Sequence, residues 1–173
     1  ISHEPKTQKG PRGQASLKNP QAFQALYQQS HLRVYRYIFG LLGGSTQDAE
    51  DLTAETYMRA WNARYGFRGD EQSALGWLLR IARNLVIDLY RRGKSYGTTS
   101  NIDDHILFSR TAGPEERTLI QDQTNLLWER LQELPEDQKE MLTLRYLLGW
   151  KVKEIAQFLS LKENTVSVNI RRA

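Results

Sequence analysis

Apolar residues in this chain return every third or fourth position and nowhere hold a period of two, so the pattern of a packed helix is present throughout and that of a strand is absent. This restricts the fold to packed helices. Phe23, Leu26, Tyr27, Val34, Ile38 and Leu41 mark a first helix over 19–40, closed by Gly43 and Gly44. A second starts at Ser45, with Asp48 three residues on as a capping signal, and runs to about residue 65. A third covers 73–92. Residues 93–113, GKSYGTTSNIDDHILFSRTAG, carry turn formers and little periodicity. Pro114, Glu115 and Glu116 suit the first turn of a further helix, where proline forfeits no hydrogen bond and acids complement the dipole. Helices then follow over 115–133, 136–148, 152–159 and from 163 to the end. The expected fold is all-α: a polar, disordered tail over 1–19, a helical bundle over 20–92, a flexible linker over 93–114 and a second helical module over 115–173.

Composition narrows the function classes. No apolar run approaches the roughly 18 residues of a membrane span, so no membrane insertion is expected. The chain has no cysteine, which excludes a disulfide framework or a thiolate metal site and suits a cytoplasmic protein. His3, His31 and His105 stand at no metal-ligand spacing, and neither a metal nor a cofactor is expected. A net charge of +4 with a pI near 9.4 is a weak pointer to polyanions; its distribution says more.

The stretch WLLRIARNLVIDLYRR (77–92) has two faces. Leu75, Leu78, Leu79, Ala82, Leu85, Val86 and Leu89 gather on one side as a core stripe. Trp77, Arg80, Asn84 and Arg91 gather on the other, interrupted by Asp88. An arginine-rich face alone is more often a solvated surface. A tryptophan beside Asn and Arg, however, is the chemistry that stacks a base, reads its edge and holds phosphates. From Gly43 to Glu55 there are four acids and no base, whereas from Arg59 to Arg92 there are seven arginines against three acids, interleaved with Trp61, Tyr65, Phe67 and Trp77. One end of the bundle is therefore acidic and suits a basic protein partner; the other is basic and aromatic and suits DNA. Asp48, Asp51 and Glu55 share a helix face and could hold a hard cation, as in a metal-dependent nuclease, but no further ligand accompanies them.

KVKEIAQFLSLKENTVSVNIRRA (151–173) has the layout of a helix-turn-helix. Ala156 is small at the crossing, Ile155 and Leu159 face inward, Leu161 sits in the turn, and Val166 and Ile170 anchor the second helix. Asn164, Ser167 and Arg171 fall on the opposite side. Residues 115–173 hold nine bases and ten acids, which counts against tight DNA binding by this module alone. A stand-alone helix-turn-helix regulator with a ligand-sensing bundle is the rival reading.

Together DAEDLTAETYMRAW (48–61), FRGDEQSALGWLLRIARNLVIDLYRR (67–92) and LPEDQKEMLTLRYLLGWKVKEIAQFL (134–159) resemble the sigma-70 family of bacterial RNA polymerase sigma factors, in its extracytoplasmic-function (ECF) group. The resemblance implies a non-enzymatic promoter-specificity subunit. Its bundle would be the family's region 2, and its helix-turn-helix region 4. Asp48, Asp51, Leu52 and Glu55 match the surface that docks on the clamp helices of the largest polymerase subunit. Phe67, Trp77, Arg80, Arg83, Asn84 and Arg91 match the minus-10 reading and melting region. Lys162, Asn164, Thr165, Ser167, Arg171 and Arg172 match the minus-35 reader. The second module is expected near the flap of the second-largest subunit, and an anti-sigma factor is an expected partner.

Three departures from the pattern stand out: Ala54 where the family usually has Gln, Ser160 where the turn usually has Gly, and Ser167 and Asn169 where bases are more common. The family's last helix also continues further with more bases, so truncation at Ala173 is expected.

Overall fold

The computed structural model describes residues 17–96 and 127–173. The expectations for the tail over 1–16, for the linker beyond residue 96 and for a helix over 115–126 lie outside the described residues. In order come α1 (Pro20–Leu41), α2 (Thr46–Ala63), a 3-10 turn (Arg64–Gly66) and α3 (Glu71–Tyr96). After the gap follow α4 over 127–133, α5 (Glu136–Leu142), a wide π turn (Thr143–Leu147), α6 (Val152–Leu159) and α7 (Glu163–Arg172). Among the described residues there is no strand.

Local chemistry sets the ends of these helices. Asn19 caps α1, its side-chain oxygen accepting the Gln21 N–H at 2.9 Å, and Pro20 occupies the first turn. Leu17, assigned to the disordered tail, is instead 3% exposed and belongs to the core. Ser45 begins α2 as expected, but its hydroxyl donates to Asp48 Oδ2 at 2.8 Å rather than capping the backbone. Asp70 takes the Ser73 N–H at 2.8 Å and so starts α3 two residues before the expected 73. The helix also runs to Tyr96, past the Arg92 end and the linker start at 93 expected from Gly93, since a lone glycine weakens a helix without ending it.

Helices α1, α2 and α3 pack on one another around Val34, Tyr37 and Ile38, Ala49, Thr56 and Ala60, and Leu78, Leu79, Ala82 and Leu85, all nearly inaccessible. The α3 stripe is the one that the periodicity implies, with Ala74 added and Leu75 and Leu89 only half-buried. Buried polar atoms find partners: Ser30 Oγ lies 2.8 Å from the Tyr57 hydroxyl, whose pKa burial pushes up to about 12 despite that hydrogen bond.

In the second module Met141, Leu144, Ile155, Ala156 and Val166 form the core, and α7 packs on both α6 and α5. Ser160 closes α6 in the left-handed region, at φ 58° and ψ 40°, and the Leu161 N–H reaches the Ala156 carbonyl at 2.9 Å.

The two modules share one continuous apolar cluster. Helix α1 packs on α5 and the π turn, and Trp128 of α4 meets Phe39 edge-on at 5.0 Å. Gly40 permits the close approach: a Cβ there would stand 2.6 Å from Thr143 Cγ2 and 2.8 Å from Leu147 Cδ1. Two helical modules were legible in the sequence; their mutual packing was not.

Because an L-residue in the left-handed region costs about 1 kcal/mol, Ser160→Gly is expected to raise unfolding stability by up to about 1 kcal/mol in urea titration.

Candidate nucleic-acid interface

The outward face of α3 forms one wall of a cleft. Trp77 is half-buried rather than free, because Phe67, presented by the segment after the 3-10 turn, packs on it with ring centroids 4.9 Å apart at 38°. Arg80 is exposed one turn further on. With Arg33 and Arg68 these groups line a cavity of about 1190 Å³. The facing wall comes from the second module, with Trp150, Glu154 and Phe158. Trp150 meets Phe158 edge-on at 5.4 Å, and the Arg80 guanidinium lies 5.9 Å from the Phe158 ring centroid. A cationic, aromatic wall can stack bases and hold phosphates.

The structure thus brings Phe67, Trp77 and Arg80 together. Asn84 and Arg91 are exposed further along the same helix. Arg83 is differently placed: it faces the second module, and its Nε donates to both carboxylate oxygens of Glu140, at 2.9 and 3.0 Å. Glu140 is 4% exposed and also accepts the Tyr37 hydroxyl. Burial lowers the Arg83 pKa, but the hydrogen bond and the charge of Glu140 outweigh it, so the guanidinium pKa is raised. Burial, followed by the charge of Glu140, drives the Tyr37 phenol well above its usual value, leaving it a neutral donor.

On the acidic surface, Asp51 is exposed and Leu52 half-exposed. Glu55 is paired with Arg59 at 2.7 Å, and Asp48 is held by Ser45. Among the described residues no group of three or more His, Cys, Asp or Glu could hold a metal ion, so the shared face of Asp48, Asp51 and Glu55 does not form a cation site. The same helix continues into an apolar strip. Met58 is 62% exposed, and the Arg64 guanidinium lies over the Trp61 ring at 3.5 Å and the Tyr65 ring at 4.2 Å.

Lys162, just before helix α7, and Asn164, Thr165, Arg171 and Arg172 on it are displayed to solvent, with Ser167 half-buried. Val166 is the buried anchor, and the Asn169 side chain is turned back onto the Thr165 carbonyl at 2.9 Å. Glu140 and Tyr37, which decide the orientation of Arg83, carry no sequence signal: a Glu between Lys139 and Met141 reads as an ordinary helix surface residue.

A helix-turn-helix on one module and a basic, aromatic helix on another are the two helical modules of a transcription initiation factor. The chain belongs to the sigma-70 family of RNA polymerase sigma factors, in the ECF group. Sigma-70 region 2 matches residues 26–96, and sigma-70 region 4 matches residues 124–173. It is 35% identical to the ECF RNA polymerase sigma factor BldN of Streptomyces coelicolor over 154 residues, covering 88% of this chain but only 57% of that protein. It is 33% identical to the ECF RNA polymerase sigma factor SigM of Bacillus subtilis over 144 residues, covering 80% of this chain and 82% of that one. In fold it resembles the sigma factor RpoE of Bartonella quintana, solved with the anti-sigma factor NepR. The TM-score is 0.65 at 21% identity, over 87% of this chain and 90% of that one. No helix among the described residues is long and apolar enough to cross a membrane.

The Phe67–Trp77 pair gives a measurable stake in this geometry. Phe67→Ala is expected to cost about 1–2 kcal/mol of stability in urea unfolding, with a red-shifted tryptophan emission as Trp77 gains solvent.

Proposed function

We propose that the chain directs promoter-specific transcription initiation as a dissociable subunit of RNA polymerase in the bacterial cytoplasm, with no catalytic chemistry of its own. The observation that carries this reading is the tilted Phe67–Trp77 ring pair beside Arg80 on a face that also exposes Asn84. Asp51, Leu52 and Glu55, with the apolar strip beyond them, suit a basic helical partner and are assigned to the clamp helices of the largest polymerase subunit. Docked there, α3 lies along the minus-10 element. Asn84 reads a base edge, Arg80 and Arg91 hold phosphates, and Phe67 and Trp77 receive bases that leave the stack. Each base stacked on an aromatic ring contributes roughly 1–3 kcal/mol, which offsets the few kcal/mol of unpairing, so melting needs no nucleotide hydrolysis.

The helix-turn-helix is assigned to the minus-35 element, with Lys162, Asn164, Thr165, Ser167, Arg171 and Arg172 toward the major groove and the module held near the flap of the second-largest subunit. Replacement of bases by Ser167 and Asn169 leaves phosphate contact mainly to Lys162, Arg171 and Arg172. An anti-sigma factor is the assigned silencing partner, a reading supported by the company that the structurally similar RpoE keeps.

Gel filtration with core polymerase, followed by run-off transcription on genomic DNA, tests the whole reading; absence of both a complex and promoter-dependent transcripts contradicts it. Asp51→Ala is expected to weaken core binding roughly 3–10-fold, as loss of one interfacial charge does. Asn84→Ala is expected to alter the minus-10 sequence profile of the transcripts, and an unchanged profile would remove its reading role.

A further inference from the structure

We infer that Arg64 is a positioning residue for promoter opening: it fixes the turn that carries Phe67, and so sets where an unstacked base is received, without touching DNA itself. The inference rests on the sigma reading for the step that is served, and on geometry for the positioning. Arg64 ends α2 and begins the 3-10 turn, and its side chain folds back over both. The guanidinium lies 3.5 Å from the centroid of the Trp61 ring and 4.2 Å from that of Tyr65. Its Nη1 donates to the Trp61 carbonyl at 2.5 Å and its Nη2 to the Tyr65 hydroxyl at 2.8 Å. That carbonyl is one of the acceptors a helix leaves open at its end, and the Arg64 backbone N–H reaches the same oxygen. The Nε atom is buried and finds no hydrogen-bond partner among the described residues. A desolvated donor of this kind is costly, and the side chain stays because two rings and two acceptors hold it.

The constraint passes on in both directions. Toward the core, the Trp61 ring meets Phe23 of α1 edge-on at 5.1 Å, so Arg64 is clasped to a ring that is itself packed on the bundle. Toward the cleft, the Phe67 N–H donates to the Arg64 carbonyl at 3.3 Å. Phe67 then leaves the turn extended, at φ −65° and ψ 129°, with its ring on Trp77. Gly69 gives that ring its place, since a Cβ there would stand 2.9 Å from Phe67 Cζ. Phe67, Arg68 and Trp77 line the cleft, whereas Arg64 does not. Arg64 therefore acts through Phe67. A lysine at this position keeps the charge but has no planar fork with which to meet two acceptors between two rings.

The test uses the full chain as preassembled holoenzyme at saturating core polymerase, on a promoter recovered by the run-off transcription above. The rate of open-complex formation is measured for wild type, Arg64→Ala and Arg64→Lys on the duplex, and on the same promoter with a mismatched bubble across the minus-10 element, where unpairing is already done. The ratio of the two rates cancels any change in core affinity. In parallel, the free proteins are labelled with fluorotryptophan, and the fluorine resonance of Trp77, one of four tryptophans, is assigned by its loss in Trp77→Phe. Both Arg64 variants are expected to open the duplex roughly 3–10-fold more slowly relative to the bubble, the scale of a lost cation–π contact, and to show a larger solvent isotope shift at Trp77. A wild-type ratio in Arg64→Ala, whether both rates fall or neither does, would overturn the inference, as would an unmoved Trp77 resonance. Recovery of the wild-type ratio by Arg64→Lys would make the residue a simple charge facing phosphate, and overturns it too. If the wild-type protein opens neither template, the sigma reading falls and the role in opening with it, while the Trp77 resonance still decides whether Arg64 positions Phe67.

Discussion

A carboxylate excluded from water must be held by donors, and every donor that the structure gives Glu140 comes from the other module. Removing such a charge from solvent costs several kcal/mol, and the cost is offset only by well-placed hydrogen bonds. Arg83 supplies two contacts and Tyr37 one. The position of α5 on α1 and α3 follows from that requirement as much as from apolar contact. With α5 in place, the π turn descends onto Gly40, α6 comes to stand across the cleft from Trp77 and Arg80, and α7 is carried on α5 with its outward face in solvent.

The same seam relates the two surfaces that the sequence separates. The acidic end of α2 and the outward face of α7 are open in this arrangement, and the outward face of α3 exposes Arg80, Asn84 and Arg91 while Trp77 is half-covered by Phe67 and Arg83 is held by Glu140. The aromatic cleft between α3 and α6 is open to solvent and lined by groups from both modules.

Much of the fold was legible because it is set by local chemistry. The all-helical class follows from periodicity, α6 has its expected bounds and α7 its expected start, and the strained turn at Ser160 was marked by a residue standing where glycine is favoured. Leu17 was misread because a single apolar residue in a polar stretch has no period to reveal it, and the end of α3 because Gly93 resembles a stop. The candidate site was legible by residue type but not by state. The helical period places Trp77 opposite the core stripe, whereas Phe67 half-covers it, and the family resemblance groups Arg83 with the minus-10 reader, whereas here it engages a carboxylate. That carboxylate lies 57 positions away in sequence and its other partner 103. No helical period reports a contact at such separation.

The coupling between Arg83 and Glu140, which joins the two modules, is measured by a double-mutant cycle. Arg83→Gln, Glu140→Gln and the double variant are unfolded in urea alongside the wild-type protein. A hydrogen-bonded charge pair of this burial predicts a coupling free energy of about 1.5–3 kcal/mol. Additive effects, within about 0.5 kcal/mol, would contradict it and leave the two modules without a charge-pair coupling across their seam.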